Sequence, residues 1–268
     1  MDQQRSLAEV HELCIELLGE RLGRQMAALA RPGFVLKPAG PDMPPTGRSR
    51  AGGSALLEPG TPWPQATDGA PLSLFAVLDT DELAPLLGDR LPARLGLVNV
   101  FKAVRRGIDE CTIICADPAH AVETPTPAQG EILTLVGLHA APIITLPSVS
   151  GEYDEGDPVL QTFDYRAEPD YDEDHWESPT ERFVQGPLRE EWDYYCRARQ
   201  GFAPGDSQAF GWPHIDSWVG KRADGYEHLL TLSGGLRNDD GFERVMVPPN
   251  ALETGKFTNV VCEQDGLH

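Results

Sequence analysis

The residues best equipped for chemistry lie late in the chain. His214 and Asp216 stand two apart, with Asp206 before them and His228 after. Imidazole nitrogen and carboxylate oxygen make a mixed donor set that divalent metals accept. A loop histidine held by a neighbouring carboxylate uses the same residues with no chemistry, and the sequence favours that reading. Gly205-Asp206-Ser207 matches the opening of a serine-hydrolase block. A nucleophilic serine also needs an oriented base, which a tripeptide does not specify. His11-Glu12 begins like a zinc-protease helix motif, but Ile15 stands where the second histidine belongs. Gly52-Gly53 lacks the lysine and helix start of a phosphate loop, so it reads as a tight turn. These residues assign no catalytic group, no metal site and no cofactor.

The strongest chemical bias is charge. The chain of 268 residues carries a formal net charge of −20. Residues 152–193 hold 15 acids against Arg166, Arg182 and Arg189, so −12 of that charge falls in 42 residues. Tyr153, Phe163, Tyr165, Tyr171, Trp176, Phe183 and Trp192 are interleaved with the acids. A disordered acidic tail is poor in aromatics, so part of this segment is expected to pack. Asp170, Asp172 and Asp174 alternate; on an extended strand they would crowd three carboxylates on one side, raising the pKa of at least one. The calcium-loop spacing is missing from EYDEGD. Such a field repels nucleic-acid phosphate, and no Lys/Arg stripe offsets it.

The elements that must position these groups are short. Ser6 and Glu9 have capping-box spacing, and Leu7, Val10, Cys14, Leu17, Leu18, Leu22, Met26 and Leu29 mark the apolar stripe of a helix over 6–30. Strands are expected at 34–37, 72–78, 95–104, 112–116, 132–136 and 143–146, then at 228–232, 244–247 and 257–261. A short helix fits 81–87 with Thr80 as its cap, and another 188–199. Gly and Pro number 27 and 24, and no βαβ alternation runs through the chain. The expected class is therefore α+β, an irregular, mostly antiparallel sheet with few helices. The division expected is an N-terminal helix over 1–33 packed on a single domain over 34–268.

The five cysteines are scattered, and Cys111 and Cys115 fall on one face of a strand. No second Cys or His pair has zinc spacing, so buried thiols are expected, in a reducing cytoplasmic compartment. The N-terminus has no basic or apolar region of a signal peptide, and no apolar run approaches ~20 residues.

Gly52-Gly53, Glu58-Pro-Gly-Thr-Pro-Trp63-Pro64, Pro71-Leu72 and the strand to Asp79 form one ordered series. With Leu91-Pro92 and Leu95-Gly-Leu-Val-Asn-Val-Phe101 they resemble the YwqG-like family, also called domain of unknown function 1963. Phe210-Gly211-Trp212-Pro213 and Ala251-Leu252-x-x-Gly-x-Phe257 extend the resemblance, which spans roughly residues 34 to 263 and is weak over 105–205. Ser54-Ala55, Val77 and Ser233-Gly234-Gly235 depart from the family pattern. The resemblance implies an α+β fold and little mechanism. Trp63 itself reads as a packing residue over one end of the sheet.

The expected function is binding without chemistry. A basic protein or peptide would engage the acidic surface, with Asp170, Tyr171, Asp172, Asp174 and Trp176 as contacts; a toxin-neutralising or accessory role is one version. The alternative is a small-ligand protein or metal-dependent enzyme. Its pocket would lie near the Trp63 and Trp212 loops, with His214 and Asp216 as polar groups.

Overall fold

In a computed structural model of the protein, residues 3–87, 91, 94–103, 110–147, 187–203, 206–213, 226–233 and 241–266 are described. They belong to two compact units. One comprises Met1–Phe34, Pro142–Asp206 and Phe210–Gly225; the other comprises Val35–Ala141, Ser207–Ala209 and Tyr226–His268.

Most strand residues fall in the second unit, with Arg31–Phe34 of the first strand and Pro142–Thr145 of the eighth in the first unit. In chain order the strands are β1 (Arg31–Pro38), β2 (Arg50–Ala51), β3 (Ala55–Leu57), β4 (Ser73–Asp79), β5 (Leu97–Lys102), β6 (Cys111–Ala116), β7 (Val122–Thr124), β8 (Val136–Thr145), β9 (Gln208–Ala209), β10 (Glu227–Ser233), β11 (Gly241–Val247) and β12 (Val261–Gly266). Ten of them hydrogen-bond in the order β12-β11-β10-β9-β1-β8-β2-β4-β5-β6, and β3 pairs with β7 in a second sheet. β4-β5-β6 and β10-β11-β12 are antiparallel meanders. Every residue of β4 and β5 is buried. SLFAVLD and LVNVFK therefore read as near-continuous apolar runs, because both faces of these strands are covered. One face of β5 sends Leu97 and Phe101 into a cluster with Leu57, Leu74 and Val77, against which Trp63 packs. The other face carries Lys102, whose ammonium lies 2.8 Å from Glu243 on β11. β5 and β11 stand near opposite ends of the strand order, so this contact brings the two ends of the sheet together.

Three expected strands, at 132–136, 143–146 and 257–261, turn out differently; residues 257–260 are irregular, and the last strand is instead β12, which begins at Val261. Residues 131–135 are irregular, with Ile132 70% exposed. β8 instead runs unbroken from Val136 to Thr145 through Pro142. The backbone groups of Leu138, Ala140 and Ile144 alternate to one side of β8. Ile144 there is bonded in both directions by the Gln200 carboxamide, at 2.6 and 3.0 Å, in place of a strand. Pro142 faces that same side, where no ladder bond is lost.

The first unit begins with α1 (Gln3–Ala28), which is broken at Gly19, where φ is 77° and ψ is 170°. The expected single helix is thus two segments. Gly23 explains their closeness: a Cβ there would sit 2.5 Å from the Cys14 carbonyl oxygen. The helix starts at Gln3, so Ser6 is an internal, buried position and not a cap. Glu9 is used elsewhere, accepting the Tyr195 hydroxyl at 3.2 Å. Tyr195 belongs to the second main helix, α3 (Pro187–Tyr195), which continues into a wider turn over Cys196–Gln200. Val10, Cys14, Leu22, Met26, Ile144, Leu146 and Tyr195 form the core of this unit. The helix after β4, α2 (Thr80–Leu83), is capped by Asp79 without a side-chain bond. Thr80 is its first residue; its hydroxyl donates to the Gly96 carbonyl and accepts the Leu95 N–H, both at 2.8 Å. Few short helices on antiparallel sheet make the class α+β. No helix among the described residues is long and apolar enough to cross a membrane.

Candidate functional site

The segment from Gly47 to Asp79 closes on itself. Gly47, at φ +56°, brings its backbone so close to Asp79 that a Cβ would lie 2.6 Å from Oδ2. Asp79 accepts the Arg48 N–H at 3.0 Å, and its own N–H donates to Ser49 Oγ at 3.0 Å. The carboxylate is 5% exposed, with the Arg48 guanidinium Nε 3.9 Å away. Arg48 also donates to the Pro118 carbonyl at 2.8 Å, and Arg50 to Glu123 Oε1 at 3.0 Å. Arg48 therefore pins the connection between β6 and β7, and Arg50 pins β7 itself. Gly52 and Gly53 have φ of +61° and +77°. A Cβ on Gly52 would strike the carbonyl oxygens of Thr134 and Leu133, so the chain's own backbone fills the place a ligand would need. The acid at the end of the motif and the glycines at its start hold the fold of this segment.

Trp63 and Trp212 lie in different units, and each is engaged within its own. Trp63 Nε1 donates to the Leu72 carbonyl at 2.8 Å, and its ring meets Phe101 edge-on at 5.1 Å. Trp212 is 8% exposed and donates through Nε1 to the Leu29 carbonyl at 2.5 Å. Its backbone N–H donates to Thr145 Oγ1 at 2.8 Å, and the Thr145 hydroxyl donates on to the Arg31 carbonyl at 3.0 Å. The Arg31 guanidinium stacks 3.7 Å from the Trp212 ring. Gly211 before it, at φ +68°, has no room for a Cβ beside Thr145.

The acidic contacts Asp170, Tyr171, Asp172, Asp174 and Trp176 lie outside the described residues, as do His214 and Asp216. Asp206 and His228, weighed with them as ligands, fall in different units. Asp206 Oδ2 accepts the Ala203 N–H at 2.9 Å, and His228 Nε2 lies 2.8 Å from Thr231 Oγ1. Among the described residues no group of three or more His, Cys, Asp or Glu side chains could hold a metal ion. Ser207 Oγ takes the Ser233 N–H at 2.9 Å and lies 3.1 Å from the Ser233 hydroxyl, which fastens the two strand ends.

Three polar features escape sequence reasoning. Asn99 is fully buried on β5; its carboxamide accepts the Leu56 N–H and donates to the Leu56 carbonyl, both at 2.8 Å. Lys102 and Glu243 form a buried ion pair, their side chains 6% and 5% exposed. Cys262, with burial, pushes the Cys111 thiol far up. Cys115 is no partner, since four residues of strand separate it from Cys111 by about 13 Å. The available signal was a polar residue inside an apolar run, Asn in LVNVF and Lys just after it.

None of the curated proteins matches the chain. The family model described as "Domain of unknown function (DUF1963)" matches residues 49–265, well over half of it. That span begins at the Arg48–Arg50 clamp and runs to the last strand of the sheet. The chain belongs to the DUF1963 family.

Proposed function

We propose that this protein acts by binding a basic protein or peptide through its acidic, aromatic-containing segment, and carries out no chemistry of its own. The observation that carries the reading is the concentration of −12 of the net −20 within residues 152–193. Charge of one sign gathered in a short stretch accelerates encounter with an oppositely charged partner. Aromatics such as Tyr171 and Trp176, desolvated on contact, supply affinity that charge alone does not. The alternative pocket beside the Trp63 and Trp212 loops has less support. Both indole N–H groups are already bonded to backbone carbonyls of their own units.

The test is a pull-down from native lysate at low and high salt, with wild type and Asp170→Asn/Asp172→Asn/Asp174→Asn. Capture of a basic protein that weakens in salt and in the triple variant is expected. Recovery of no basic partner, or of one indifferent to both changes, overturns the proposal.

A further inference from the structure

The end-to-end contact of the sheet places two thiols together. Lys102 and Cys111 are directly opposed in the β5–β6 register, so their side chains share a face. On β11, Glu243 and Val245 are two apart and share a face, and Val245 opposes Cys262 of β12. The 2.8 Å contact of Lys102 with Glu243 turns those two faces toward each other. Cys111 and Cys262 consequently line the same space, and Cys262 is the largest cause of the upward shift of the Cys111 thiol. Cys262 is buried, while Cys111 is partly exposed and so open to a small oxidant.

We infer that Cys111 and Cys262 are a redox-sensitive pair which a hydroperoxide converts to a disulfide joining β6 to β12, the two end strands of the sheet. The Cys111 sulfur attacks the distal peroxide oxygen. An S–O bond forms, the O–O bond breaks, and the departing alkoxide takes the thiol proton to leave as an alcohol. The Cys262 sulfur then attacks the sulfenic sulfur of Cys111; the S–S bond forms, the S–O bond breaks, and hydroxide leaves with the Cys262 proton as water. Two thiols and one hydroperoxide become one disulfide, one alcohol and one water, a two-electron oxidation. The thiolate is the attacking form, and Cys262 and burial keep Cys111 protonated. The first step is therefore slow near neutrality and accelerates about tenfold per pH unit. The second is intramolecular and follows at once. The product replaces a noncovalent contact between the sheet ends with a covalent one.

The experiment exposes the folded full-length protein to hydrogen peroxide, alkylates remaining thiols in denaturant, digests without reductant and maps the peptides. A linked pair containing Cys111 and Cys262, lighter by two hydrogens and released by a thiol reductant, is expected, with Cys115→Ser unchanged. Alkylation of both cysteines after oxidation, or linkage of Cys111 to Cys115 or to another chain, overturns the inference. A second readout uses a 1,3-diketone that traps sulfenic acid. It should label Cys111 strongly in Cys262→Ser and weakly in wild type; equal labelling contradicts a resolving role for Cys262. Should Cys262→Ser fail to fold, the wild-type peptide map decides the question alone.

Discussion

Replacing Asn99 by alanine removes the link between β5 and the small β3–β7 sheet. Leu56 opposes Glu123 in the β3–β7 register, yet its N–H and C=O point away to the Asn99 carboxamide, each at 2.8 Å. Leu56 is 3% exposed, so water does not replace either bond. An orphaned buried backbone group costs about 1–3 kcal/mol. The two groups of Leu56 together put the loss from Asn99→Ala at about 2–6 kcal/mol, before the weaker donations of Nδ2 to Leu97 and Ile114 are counted. For a domain of this size, at about 2–4 °C per kcal/mol, that corresponds to a fall in Tm of at least about 4 °C. Asn99→Asp keeps an acceptor for the Leu56 N–H but loses the donor and buries a carboxylate, so it should be no better. The assay is urea unfolding, with amide exchange at Leu56 as the local readout. Faster exchange there, with a lower midpoint and an unchanged slope, is expected. A loss below about 0.5 kcal/mol, or unchanged exchange at Leu56, refutes the reasoning.

Three further outcomes follow from the same geometry. Gly52→Ala combines a positive φ with a collision against the backbone at 133–134, so thermal unfolding should show a loss of about 2 kcal/mol or more. Lys102→Met alone or Glu243→Leu alone breaks a buried ion pair and should cost about 3–5 kcal/mol by urea titration, whereas the double substitution should cost far less. Burial raises the Cys14 thiol from 9.0 to about 12. A raised folded pKa gives stability that is complete below the unfolded value and lost as pH climbs through 9 toward 12. Midpoints measured from pH 8 to 11 should fall, and fall less in Cys14→Ala.

What the sequence disclosed was periodic. The apolar runs 72–78 and 95–104 became β4 and β5 because continuous hydrophobicity bounded by Pro and Gly has few other readings. The stripe from Leu7 to Leu29 showed a helix but not its break. Gly19 alters the chain through backbone angles that a 3.6-residue pattern does not record. Pro142 divided β8 on paper, whereas the strand tolerates it because Gln200, 58 residues later, covers that edge at Ile144. Two-residue strands such as β2 and β9 are too short for any alternation to appear. The candidate chemistry fared unevenly for a related reason. Spacing along the chain grouped Asp206 with His228, while folding assigns them to separate units and satisfies each locally. Cys111 and Cys262 touch across 151 positions, a distance no motif spans.

The central claim is recognition of a basic partner by the acidic segment, and association kinetics test it most directly. With a purified partner recovered by the pull-down, the on-rate should fall steeply as salt rises, by tenfold or more from about 0.01 to 1 M, because the Debye length shrinks from about 30 to 3 Å. Asp170→Asn/Asp172→Asn/Asp174→Asn should flatten that dependence, and Trp176→Ala should raise the off-rate with little change in the on-rate. An on-rate indifferent to salt, or a salt dependence that survives the triple substitution intact, contradicts the account.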